Sequence, residues 1–173
     1  AVDDNASDYN VSIGYNAGLG GDAAMDNCVA IGNLALFGSG NYAQSGTVAI
    51  GSSALTALTT GSKNIAIGYE AGLAIDSDIG NTLLGYEAGQ SLTGGSAHYN
   101  TAIGGLALTS ASTVSTKNTA IGYTAMTGLG GGTVTDCVAV GYSALGGGLT
   151  TGATGAVAIG SNALLALTSG TAN

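Results

Sequence analysis

One five-residue pattern of apolar and polar positions recurs nine times along the chain: a polar or small residue, a β-branched one, a small one, an aliphatic one, then glycine. It runs Asn10-Val-Ser-Ile-Gly14, Cys28-Val-Ala-Ile-Gly32, Thr47-Val-Ala-Ile-Gly51, Asn64-Ile-Ala-Ile-Gly68 and Asn81-Thr-Leu-Leu-Gly85. It continues as Asn100-Thr-Ala-Ile-Gly104, Asn118-Thr-Ala-Ile-Gly122, Cys137-Val-Ala-Val-Gly141 and Ala156-Val-Ala-Ile-Gly160. The glycines are 18, 19, 17, 17, 19, 18, 19 and 19 residues apart. Three residues after each glycine stands an alanine, from Ala17 through Ala88 to Ala163. The alternation of small and β-branched residues has the period of two that marks a strand. Each glycine then supplies a turn that a Cβ would forbid. No helical period of useful length appears.

A short repeat of strand and turn, stacked on itself, is a solenoid. The expected fold is all-β: a parallel β-solenoid (β-roll) of about nine coils of about 18 residues, roughly 43 Å long at the usual strand spacing of about 4.8 Å. Residues 10–167 form the repeat domain, residues 1–9 an acidic lead-in or cap, and residues 168–173 a tail. The chain begins Ala1-Val2-Asp3, which reads as a processed product or an excised fragment. Solenoid ends expose unpaired strand edges, and the neutral tail is a weak cap. End-to-end stacking of copies is therefore left open.

Alternation divides each strand between two faces. The columns headed by Val11 and Ile13 are read as the interior, because they carry the larger aliphatic side chains. The alternate column is then the outer one: Ala30, Ala49, Ala66, Ala102, Ala120, Ala139 and Ala158, with Ser12 and Leu83 completing it. A flat alanine face is poor against water and good against another chain. Side-by-side association, most simply a homotrimer, is expected on that face, unless a segment of the same coil covers it.

Composition narrows the partners. The net charge is −8, with Lys63 and Lys117 the only basic side chains apart from His98. Two lysines do not neutralise a polyanion, so nucleic acid is excluded as a partner, as is an anionic membrane surface. The glycines, serines and threonines break every apolar run short of a membrane span, so membrane insertion is not expected. Hydrophobic residues make up 45% of the chain, which excludes an acidic disordered tail.

Few constellations suggest chemistry. Glu70 and Glu87 hold equivalent places in adjacent repeats, so stacking brings them about 5 Å apart. Paired carboxylates at that separation suit a retaining glycosidase or a hard cation. The plainer reading is two solvated side chains on an outer corner, and with no Trp and one Phe the sugar platforms are scarce. Catalysis is not expected, and no cofactor or metal is assigned. Calcium rolls need a repeated Gly-Gly-x-Gly-x-Asp motif, of which only Gly20-Gly21-Asp22 and Asp76-Ser-Asp78 give fragments. Ice binding needs an exposed threonine ladder; Thr82, Thr101 and Thr119 make three rungs, but in the column read as interior. Cys28 and Cys137 take the leading polar position six coils apart, too far to bridge within one rod. His98 has no Cys or His beside it. The tyrosines after the glycines are expected to stack in pairs, Tyr69 with Tyr86 and Tyr123 with Tyr142. Sequons at Asn5-Ala-Ser and Asn10-Val-Ser matter only in a host that uses them.

The runs Asn64-Ile-Ala-Ile-Gly-Tyr-Glu-Ala-Gly72, Asn100-Thr-Ala-Ile-Gly104 and Asn118-Thr-Ala-Ile-Gly-Tyr-Thr-Ala125 resemble the repeats of bacteriophage tail fibres and related virion fibres. They are also similar to the Val-Ala-Ile-Gly head repeats of trimeric autotransporter adhesins. The resemblance extends over all nine repeats. It implies a parallel β-roll in which three chains intertwine or pack side by side. It also implies a rod outside the cell or on a virion surface, which binds a host receptor or glycan or carries a tip that does.

Overall fold

The computed structural model describes residues 9–19, 25–38, 44–93, 95–109, 115–128, 133–147, 153–167 and 170–171. The described residues are all-β with no helix, and the chain winds as a parallel solenoid of about seven turns. Nine three-residue strands stack in the main sheet: β1 (Val11–Ile13), β2 (Val29–Ile31), β3 (Val48–Ile50), β4 (Ile65–Ile67), β5 (Thr82–Leu84), β6 (Thr101–Ile103), β8 (Thr119–Ile121), β10 (Val138–Val140) and β12 (Val157–Ile159). A second sheet stacks β7 (Ser115–Thr116), β9 (Val134–Thr135), β11 (Ala153–Thr154) and β13 (Gly170–Thr171). All pairs are parallel and in register, so like residues lie on like: Ala30 on Ala49 on Ala66, and Ile31 on Ile50 on Ile67. Most of the lead-in, Gly20-Gly21-Asp22, the sequon at Asn5 and most of the tail lie outside the described residues.

The faces are the reverse of the sequence-based expectation. Ala30, Ala49, Ala66, Ala102, Ala120, Ala139 and Ala158 point into the coil and are at most 1% exposed in the single chain. They are core, and the expected inter-chain alanine face does not exist. The Val11 and Ile13 columns point outward and are half-buried or exposed along the whole sheet. The physical reason is width. A coil this narrow brings opposite walls close together, and only small side chains fit between them along most of its length. Eight of the alanines three residues past the glycines, Ala17 through Ala144, are buried in the same core, and Ala163 is half-buried against it.

Volume that alanine lacks comes from a column the repeat pattern hides, the residue after that second alanine: Leu36, Leu55, Leu108, Met126 and Leu145, all buried. Where this column holds Gly72 and Gly89, Leu83 replaces alanine in the strand. A Cβ on Gly72 would stand 2.8 Å from Leu83 Cδ1, and one on Gly89 2.7 Å from Leu83 Cδ2. The single Leu83 side chain thus fills space that both turn glycines leave open.

The leading polar position is also interior. Asn64, Asn81, Asn100 and Asn118 are buried and form a ladder. The Oδ1 of Asn64, Asn81 and Asn100 accepts from both the backbone N–H and the side-chain Nδ2 of the next asparagine, as from Asn81 to Asn64 at 2.9 and 3.1 Å and from Asn100 to Asn81 at 2.9 and 3.1 Å, while Asn118 Oδ1 accepts the Cys137 N–H at 3.0 Å. The remaining Nδ2 hydrogen goes to a carbonyl of the same coil, Asp78 for Asn64 and Ser115 for Asn100, at 2.7 and 2.6 Å. A buried amide is tolerated because each amide oxygen and each amide nitrogen of the ladder has at least one partner. Thr47 interrupts the ladder, and its buried hydroxyl has no hydrogen-bond partner.

Candidate functional site

The corners of the coil carry the conspicuous exposed side chains. Each anchor glycine has φ between 121° and 142°, and the next residue projects to solvent. There Tyr69 and Tyr86 stack with ring centroids 5.6 Å apart and planes 11° from parallel; Tyr123 and Tyr142 stack at 6.1 Å and 11°. These are the pairs expected from the repeat.

Glu70 and Glu87 follow those tyrosines on adjacent rungs, half-buried, in left-handed conformation with φ of 53° and 52°. Gln90 Nε2 donates to Glu70 Oε2 at 2.5 Å. Hydrogen bonds to Glu70 and Glu87 push the phenols of Tyr69 and Tyr86 above the ordinary tyrosine range, since ionisation would set two negative charges side by side. The two carboxylates thus act as acceptors for neighbouring donors. Among the described residues no group of three or more His, Cys, Asp and Glu gathers to hold a metal ion.

The buried titratable groups have structural partners. Asp78 Oδ1 accepts the Ala97 N–H at 2.7 Å, while Oδ2 is buried without a partner. His98 Nδ1 accepts the Ile79 N–H at 3.1 Å and lies 3.6 Å from Asp78 Oδ1. Burial drives the Asp78 carboxyl above its ordinary range. Folding therefore favours the protonated form. Stability is expected to rise as pH falls from neutral through the folded-state pKa towards the ordinary aspartate value, and Asp78→Asn is expected to abolish that gain. Thermal melts of both proteins at stepped pH check it; equal slopes would refute it.

Cys28 and Cys137 are free and buried. The Cys28 thiol donates to the Gln44 carbonyl at 2.8 Å, and the Cys137 thiol to the Thr135 carbonyl at 3.3 Å. Burial pushes both thiols above the ordinary range. They stand in for asparagine inside the coil.

The largest feature is the outward face of the main sheet. Its two columns hold 18 side chains, of which 15 are Val, Ile or Leu and three are Thr82, Thr101 and Thr119; none is charged. The threonines assigned to the interior from sequence are on this surface. Val11, Ile13, Ile65, Leu84, Ile121, Val157 and Ile159 are its exposed members. Contiguous apolar area on this scale marks an interaction site, and depletion of charge marks the centre of a protein interface. Sequence reasoning missed the face because it assigned the larger aliphatics to the core. No helix of the described residues is long and apolar enough to cross a membrane. Comparison with protein families, curated proteins and solved structures finds no match to this chain.

Proposed function

We propose that the chain is a shaft segment or subunit of an extracellular or virion fibre, without enzymatic activity, in which nine coils stack into a rod and three rods pack side by side. The observation that carries this reading is the uncharged two-column face along all nine rungs of the main sheet. A net charge of −8 is distributed so that none falls on those columns. Three copies facing inward around a common axis would remove every apolar ladder from water at once. The backbone ladders run along each rod and give it stiffness, and the corners with their tyrosines stay outside, where a host receptor or glycan would meet them.

The test is assembly against fold. Ile65→Glu combined with Ile121→Glu places two charges on the outward face at side chains the single chain leaves exposed. The wild type is expected near three times 16.4 kDa by light scattering behind a sizing column, and the double variant near a single chain, with the same β circular dichroism. A monomeric wild type, or an unchanged mass in the variant, would refute the side-by-side arrangement.

A further inference from the structure

We propose that Gly105 opens a slot one ring thick in the tyrosine column of the coil corner, walled by Tyr86 and Tyr123, and that the slot binds a neutral pyranose ring of a glycan. The proposal rests on the fibre reading for a ligand that arrives from solvent, and adds to it the site and the ligand class.

The residue after the anchor glycine is tyrosine on four of five successive rungs, at Tyr69, Tyr86, Tyr123 and Tyr142, and Gly105 stands in the middle. On each side of it two rings stack nearly parallel, 5.6 Å apart for Tyr69 and Tyr86 and 6.1 Å for Tyr123 and Tyr142. Each pair leaves one ring face turned towards the rung of Gly105, Tyr86 from one side and Tyr123 from the other. Those two rungs lie two steps of about 4.8 Å apart. A tyrosine at 105 would continue the stack through that interval. Its absence therefore leaves room for one ring between two aromatic faces.

The fold does not ask for glycine at 105. Its neighbour Gly104 is held at φ 132°, and a Cβ there would stand 2.6 Å from the Gly122 carbonyl oxygen. Gly105 lies outside the left-handed region, and a Cβ on it would meet nothing closer than Tyr123 Cδ2 at 3.3 Å. That atom belongs to a side chain that can turn. Other rungs place Tyr15, Asn33, Ser52 and Ser161 at this position, so the backbone accepts a side chain there. Glycine at 105 empties the rung without being needed to turn the chain.

The rim selects the ligand. Tyr86 and Tyr123 are 55% and 53% exposed, so the slot opens to solvent. The Tyr86 phenol is hydrogen-bonded to Glu87, which sets a carboxylate at the rim. A pyranose ring matches both features: its C–H faces lie against aromatic rings, and its edge hydroxyls donate to a carboxylate in charge-assisted bonds. A bare aromatic ring would fill the slot but bring nothing for Glu87 to accept. Anionic sugars are disfavoured, because Glu70 and Glu87 share this corner, and the residue pairs from Tyr69-Glu70 to Tyr142-Ser143 contain no lysine or arginine.

The test is saturation-transfer NMR of the wild-type chain with maltotriose, lactose, mannotriose and N,N′-diacetylchitobiose, and with indole as an aromatic probe. At least one sugar is expected to take up saturation on its ring C–H protons and to bind with a Kd of about 1 mM, the strength of a single-ring contact. Gly105→Tyr fills the slot with the side chain the column already uses. It is expected to weaken binding by about tenfold or more while Tm holds or rises. Tyr86→Leu combined with Tyr123→Leu removes both aromatic faces but keeps apolar bulk, and is expected to lose binding with β circular dichroism unchanged. Tyr15→Leu, at an exposed tyrosine on a distant rung, is expected to bind as the wild type does. Binding by none of the four sugars, or binding that survives Gly105→Tyr or the double leucine variant, would overturn the slot. Binding of indole without any sugar would overturn the ligand class. Particle mass separates the slot from the assembly: a monomer that binds sugar keeps the slot and refutes side-by-side packing, and a trimer that binds none does the reverse.

Discussion

Gly85→Ala is expected to disrupt the solenoid at its middle and to lower stability by about 4 kcal/mol, the sum of roughly 1–3 for an L-residue held in an unfavourable backbone region and roughly 1–3 for overpacking. The new Cβ would stand 2.5 Å from the Gly104 carbonyl oxygen and 2.6 Å from its carbon. Both are backbone atoms of the next rung and have no rotamer to change. That rung is pinned from its other side too, because Gly104 presents the same surface to the Gly122 carbonyl at 2.6 Å. Relief would require separating two levels of the ladder, which breaks the Thr82 N–H to Asn100 and Gly104 N–H to Leu84 bonds, each 2.8 Å. Loss of that size is a large share of an ordinary domain's stability. In a fold where each coil touches only its neighbours, it splits the rod into weakly coupled halves. Urea unfolding is expected to change from one transition to two, or to a single one at much lower denaturant. Gly160→Ala is the matched control, since it carries the backbone strain without the clash. Equal losses in the two variants would show that conformation alone, not the approach of the next rung, demands glycine.

The repeat made much of this legible from sequence. Spacing near 18 residues and the glycine and alanine columns predict parallel stacking in register, and the register observed, such as Ile65 on Thr82 on Thr101, is the one those columns define. The tyrosine pairs follow from the same columns, whereas the interior placement of the leading position does not, because period two puts it on the face of the alanine column, which was read as outer. What the pattern does not decide is which face of a three-residue strand turns inward. Period two gives two faces but no sign, and the general tendency of Val and Ile to be buried points the wrong way in a coil too narrow to hold them. A signal was present in the Ala-Leu pairs: Ala35-Leu36, Ala54-Leu55, Ala107-Leu108 and Ala144-Leu145 bring large apolar residues from the turn, and Leu83 occurs where the equivalent pairs are Ala71-Gly72 and Ala88-Gly89. Trading leucine between strand and turn makes sense only if both point into one shared space. Glu70 and Glu87 were located correctly on the outer corner, and the structure adds the Gln90 amide and the two phenols that engage them.

The inverted faces produce the second large effect, and it opposes the outcome that an outward alanine column would give. Ala66→Glu combined with Ala102→Glu is expected to unfold the chain, not to dissociate an assembly. Both alanines are wholly buried, with Ala66 set between Ala49 and Leu83 and Ala102 between Leu83 and Ala120. Each glutamate would bring a carboxylate and two methylenes into a layer filled by methyl groups and leucine, with no cationic side chain to pair it, since the basic residues other than His98 are Lys63 and Lys117 on exposed corners. An unpaired buried charge and the accompanying overpacking together cost more than about 4 kcal/mol at each site, the range reserved for severe core disruption. The β signal in circular dichroism is expected to collapse at every protein concentration. Ile65 shares its strand with Ala66, and Ile121 lies on the strand next to that of Ala102; the Ile65→Glu and Ile121→Glu pair is expected to keep that signal while losing mass. The two double variants differ in the face of the sheet that carries the carboxylates, inner in one and outer in the other. Retention of β structure in the alanine pair would mean that the strands face the other way, and would return the alanine column to the surface.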